Sequence, residues 1–209
     1  MDDPSPARGA PHSEAHELVA VILLSLVAVL TAWCGFEASK WGGDSAVAFN
    51  EASAARIEAA GFESQVRDAR ALDLAVYAQW VVAEANGDAD LADYIEARFS
   101  PQFEAAFAAW DEDGRVGKGP FARTEYVPPG TEESAAAVDQ ADVYFQQALD
   151  FNEKGDNYSL MTVLFALVLF LAAIAQRGRS PLAARIVLGV AGALALIGMV
   201  MLLTFPIRL

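Results

Sequence analysis

Two uncharged apolar runs near the end of the chain, Tyr158 to Ala175 and Ile186 to Phe205, leave little choice of environment for it. At about 1.5 Å rise per residue, each is long enough as a helix to cross most of a roughly 30 Å hydrocarbon core. A buried helix of a soluble core is the competing reading, and it does not account for two such runs separated by only ten residues. The sequence therefore predicts a membrane protein, with the lipid bilayer as its first partner.

The separating stretch, Gln176 to Arg185, holds Arg177, Arg179 and Arg185 and no acid. Short loops rich in arginine are retained in the cytoplasm. The span at 158–175 then enters from outside, the span at 186–205 returns, and residues 206–209 form an extracytoplasmic tail. Pro181 accounts for the turn, because the residue before a proline is pushed out of helical geometry.

A third apolar run, Leu18 to Phe36, supplies the first span. Residues 1–17, rich in Pro, Gly, Ser and charge, read as a disordered cytoplasmic arm. A cleaved signal peptide fits poorly: Arg8 is outnumbered by Asp2, Asp3, Glu14 and Glu17, and no small-x-small site closes the run. Parity places residues 37–157 outside, where 24 acids face nine bases between Glu37 and Asp156. Trp33, Trp41 and Tyr158 are expected as anchors at the outer membrane interface, and Arg177, Arg179 and Arg185 at the inner one.

Charge and cysteine usage remove several function classes. A net charge of −14 opposes nucleic-acid binding, which needs Lys and Arg against phosphate. The single cysteine, Cys34, excludes an internal disulfide and a cysteine-rich metal site. No cofactor signature is present. GRVGKGPF at 114–121 lacks the Ser or Thr after its lysine that a phosphate loop needs. WDEDG at 110–114 fails as a calcium loop, since Ala109 and Pro120 would occupy the positions of two essential ligands. Asp88, Asp90, Asp93 and Glu96 read as a helix N-terminus carrying favourable acids. His12 and His16 lie four apart in the arm, and Asn157-Tyr158-Ser159 is a sequon too short to carry weight.

Between the first two spans the period is helical. A seam steps by four and three from Trp41 through Ser45, Ala48, Ala52, Ala55, Ala59, Phe62, Val66, Ala69, Asp73, Val76, Trp80 and Ala83. It keeps phase through Gly61, which costs roughly 1 kcal/mol inside a helix without having to break it. Asp73, the one charge in this seam, either pairs with Arg70 or a neighbouring arginine or fixes register. A second seam runs through Ala137, Ala141, Tyr144, Ala148, Phe151, Gly155 and Tyr158 and on into the second span. The many alanines, Ala52, Ala59, Ala141 and Ala148 among them, imply helices packed closely. On the third span Gly189 and Ala193, with Ala191 and Ala195 offset beside them, form a small-residue face for packing within the chain or between subunits.

Asp88 is expected to cap a short helix, 89–98, and Ser100 with Pro101 to open another, to about Trp110. Thr131 is expected as the cap of the returning helix, with Glu132 and Glu133 in its first turn. Asp111 to Gly130 reads as a Gly- and Pro-rich loop, the least ordered part outside the arm. The fold expected is thus an all-α membrane protein with three transmembrane helices and a long, coiled-coil-like helical hairpin outside the membrane between spans one and two. A break at Gly61 would instead give an up-down four-helix bundle.

The segments at 31–43 (TAWCGFEASKWGG), 49–59 (FNEASAARIEA) and 156–177 resemble those of a family of small three-span bacterial inner-membrane proteins of uncharacterised function. That resemblance implies a bacterial inner membrane and carries no activity or functional residue. The function expected is a non-enzymatic accessory or scaffold subunit meeting another membrane or periplasmic protein. A small homo-oligomeric channel or transporter is the first alternative, and a ligand sensor with a separate output partner the second.

Overall fold

Where the seams run without a breaker, the helices run without one too. The computed structural model describes residues 11–177 and 180–208, with side chains from Leu18 onward. Among these residues all regular structure is helical: α1 (Pro11–Asn86), α2 (Ala89–Glu96), α3 (Pro101–Glu112), a 3₁₀ turn at Pro120–Ala122, α4 (Thr131–Arg177) and α5 (Pro181–Leu202). Helices α1, α4 and α5 each contain a stretch long and apolar enough to cross a membrane, with mean hydropathies of 2.5, 2.4 and 2.2.

Several expected boundaries shift. The first helix opens at Pro11, so residues 11–17 are helical where an unstructured arm was expected. It continues unbroken through Gly61, which overturns the four-helix alternative. The glycine's own penalty is small beside the seam burial on either side of it. The last span ends at Leu202 rather than Phe205, because Pro206 cannot continue a helix and residues 203–205 close it with turn bonds. Helix α2 stops at Glu96, two residues early. Asp88 and Ser100 cap α2 and α3 as expected, accepting from the amides of Leu91 and Phe103. Thr131 is not a cap: it lies inside α4 and its hydroxyl donates to Pro128 O. Gly130, at φ +92°, makes the entry instead.

The chain divides into two units, described separately below. The apolar unit comprises Met1–Ala48 and Gln146–Leu209. Its core is Val27, Cys34, Trp41, Tyr158, Met161, Phe165, Val168, Ala172, Ala191 and Ala195. Outside that core, Ile22, Val29, Val163, Phe170, Ile186 and Leu196 are all more than half exposed, an outer surface suited to lipid rather than water. On α5 the packing face is Ala191, Ala195 and Gly198, all buried. Gly189 and Ala193, expected on that face, are exposed. Two residues of offset turn a helix by about 200°, so one set faces the core and the other faces away.

The acidic unit is Phe49–Phe145. Its seam is buried at Ala52, Ala55 and Ala59 of α1 and at Ala137 and Ala141 of α4, and half-buried at Phe62, Val66, Ala69 and Val76. Ser134 Oγ donates to Ala59 O across the pair, and Phe49 meets Phe145 edge-on at 5.7 Å. A second core gathers Trp80, Ala83, Ala92, Ile95, Phe99, Phe103 and Phe107, with Tyr77, Trp110, Phe121 and Tyr126 against it. Its rings meet mostly edge to face, as between Trp80 and Phe107 at 4.8 Å, the arrangement that ring quadrupoles favour. The stretch 111–130 is correspondingly not the loose loop expected. Pro120 is buried, Phe121 stacks on Phe103 at 4.7 Å, and Arg123 bonds to Ala109 O at 3.2 Å and pairs with Asp113.

Candidate functional site

The apolar unit carries a polar cluster at the end of its spans where α1 leaves and α4 arrives. Glu37, Trp41 and Asp44 stand at i, i+4 and i+7, one face of α1; Phe151, Lys154 and Tyr158 stand at i, i+3 and i+7 on α4. The two faces meet closely at Gly155, which is buried and where a Cβ would stand in van der Waals contact, 3.5 Å, with Ala38 O and Trp41 Cβ. Nearby, Ser45 Oγ donates to Ala148 O at 2.9 Å, tying the backbones together.

Into this face folds the segment after α5. Phe205 meets the Tyr158 ring at 5.4 Å, and the Tyr158 hydroxyl donates to Pro206 O at 2.9 Å. The backbone N–H of Arg208 donates to Glu37 Oε2 at 3.0 Å. Its guanidinium pairs with Asp44 at 2.8 Å and lies 5.2 Å from the Trp41 ring and 5.3 Å from the Phe151 ring. Lys154 approaches the same two rings, at 4.9 and 5.6 Å, and pairs with Asp150. The end of α5 therefore lies at the same end of this unit as the end of the first span and the start of the second.

Magnitudes rank these contacts. A hydrogen bond to a charged acceptor contributes about 1.5–3 kcal/mol, a part-exposed ion pair about 0–1, and each cation–π contact about 0.5–1. The backbone bond to Glu37 thus dominates, and the guanidinium is the more loosely held part. Glu37 is fully buried, yet among the described residues its Oε1 has no hydrogen-bond partner, and the buried Trp41 Nε1 has none either. A half-satisfied buried carboxylate is a costly arrangement and marks this cluster as the candidate site.

The acidic unit has a contrasting group. Asp73, 3% exposed, accepts from the Tyr126 hydroxyl at 2.9 Å and from Gln102 Nε2 at 3.3 Å. The arginine partner expected for it is replaced by these neutral donors, supplied by the stretch after α3 and by α3 itself. Burial first, then the hydrogen bond to Asp73 and its charge, push the Tyr126 phenol well above its ordinary value; Arg70 opposes them weakly.

Other sequence-derived positions fall as follows. Trp41 and Tyr158, expected as bilayer anchors, are instead 4% and 1% exposed and packed inside the protein, because the tail covers them. Trp33 is half-buried and rests against Phe36 at 6.0 Å. Arg177, the last residue of α4, and Arg185, near the start of α5, are exposed. Arg179 and the side chains of His12 and His16 lie outside the described residues. Ala52, Ala59, Ala141 and Ala148 are buried at helix contacts. Glu37, Asp44, Lys154 and Arg208 were not anticipated. The signal for Glu37 existed, since stepping the α1 seam back from Trp41 by four and then three reaches Glu37 and Cys34.

Compared with protein-family models, with curated proteins and with solved structures, the chain matches none.

Proposed function

We propose that this protein is a non-enzymatic integral membrane subunit, an accessory or scaffold component whose acidic helical unit meets another protein. The observation that carries the reading is exposed apolar bulk on a unit rich in acids: Ile57 is 74% exposed, Leu72 65%, Val82 59% and Leu74 54%. We take these side chains, exposed along one helix, as the support for a partner surface there. In this reading the protein sits in a bacterial inner membrane, with the Arg177 and Arg185 turn in the cytoplasm and the acidic unit outside. Gentle detergent extraction from the native membrane, followed by mass determination of whatever co-purifies, tests it. A foreign chain in fixed stoichiometry, lost on Leu72→Glu, is the expected result. A turnover by the purified chain that one point change in the acidic unit abolishes would sink it.

A homo-oligomeric channel is the second reading, favoured by the exposure of Gly189 and Ala193 on α5. Small residues facing outward let a second copy approach closely in lipid. A defined homo-oligomer that conducts ions in liposomes would support it, and absence of flux from such an oligomer would remove it.

A further inference from the structure

We propose that Trp41, Asp44 and Phe151 form a guanidinium-binding cage, which the chain fills with its own Arg208 and from which an arginine-bearing segment of another protein displaces it. Two aromatic faces and a carboxylate are the groups a guanidinium seeks, and all three reach Arg208 here: Trp41 at 5.2 Å, Phe151 at 5.3 Å and Asp44 at 2.8 Å. The cage is open to exchange. The Arg208 side chain is 45% exposed and that of Asp44 34%, so the guanidinium leaves without the helices parting.

It is also under-used. A guanidinium offers five N–H donors, of which only Nε pairs with Asp44. An arginine that is not tethered through Pro206 and Ile207 is free to turn its remaining donors toward Asp44. Lys154 shares the rings but is committed to Asp150 on its own helix, so it does not fill the place beside Asp44. A lysine ligand lacks the planar fork and stacks less well, which makes the cage selective for arginine. The inference does not depend on the accessory-subunit reading, because the cage lies in the apolar unit and not on the acidic one.

The test uses the full chain in detergent micelles and acetyl-isoleucyl-arginine amide as probe. Arg208→Gln keeps the backbone N–H on Glu37 while vacating the cage. Calorimetric titration is expected to show saturable binding to this variant at least about tenfold tighter than to the wild type, whose tethered arginine competes at high effective concentration. Adding Asp44→Asn is expected to abolish it, and the lysine analogue to bind several-fold more weakly. Equal affinity for wild type and Arg208→Gln, or indifference to Asp44→Asn, would overturn the proposal. If the variant does not fold, the wild type still decides. The ¹⁵Nε resonance of Arg208 is expected to move to its free value as probe is added, and a resonance unmoved at saturating probe refutes displacement.

Discussion

Among the described residues two carboxylates are buried, one in each unit, and they are held differently. Asp73 is met by two side-chain donors, Tyr126 and Gln102, set among packed rings. Glu37 is met by one backbone N–H from a segment that reaches it across 171 positions of sequence, and one of its oxygens is left over. A buried polar group with its partners in place helps to specify a fold, and one left partly satisfied is costly. The difference separates the two carboxylates without reference to any motif.

The comparison breaks first at Tyr126. Tyr126→Phe removes one of the two donors to Asp73, and a loss of about 1–3 kcal/mol is expected, read as faster amide exchange in α3 and a lower thermal midpoint in detergent. Stability unchanged within error would mean that Asp73 is not held as described.

The same residue predicts an alkaline limb. The phenol is raised in the folded state by burial and by Asp73, against about 10 when unfolded. Ionisation therefore favours unfolding: the stability it reflects is complete below about pH 10 and falls as pH climbs toward the folded value. Denaturation followed from pH 8 to 11 should steepen above 10 in the wild type and lose that component in Tyr126→Phe.

Isosteric amides sharpen the contrast. Asp73→Asn places an amide donor where two donors already converge and should cost about 1–2 kcal/mol. Glu37→Gln keeps an acceptor for the Arg208 N–H and removes a charge that is only half compensated, so it should be neutral or stabilising by up to about 1 kcal/mol. Equal penalties at the two sites would erase the distinction. Smallest of all, Gly61→Ala has open space for its Cβ and lies mid-helix, and should raise the melting point by the equivalent of about 0.5–1 kcal/mol.

What could be read in advance follows from how far each signal travels along the chain. Both helical seams were visible because burial in a helix repeats every three or four residues, and Ala52 through Ala83 and Ala137 through Ala172 obey that repeat. Asp88 and Ser100 were readable because a cap acts within three residues. The docking of Arg208 was not, since nothing local marks an arginine two positions after a proline as a partner for a helix far earlier in the chain. Trp41 and Tyr158 were misassigned for the same reason. An amphipathic ring near a span end suits a bilayer interface equally well as a protein one, and only the returning tail decides. The choice of Ala191, Ala195 and Gly198 over Gly189 and Ala193 was open because an apolar span carries small residues on both sides, and periodicity cannot say which side meets a neighbour.

Gly198 lies under the Phe165 ring, where an added Cβ would stand 2.8 Å from Cε1 and 3.1 Å from Leu164 Cδ2. Phe165 is wholly buried. In genetic terms, the position has no conservative neighbour: every single-nucleotide missense change of a glycine codon introduces a Cβ, so alleles altered there should be recovered as loss of function.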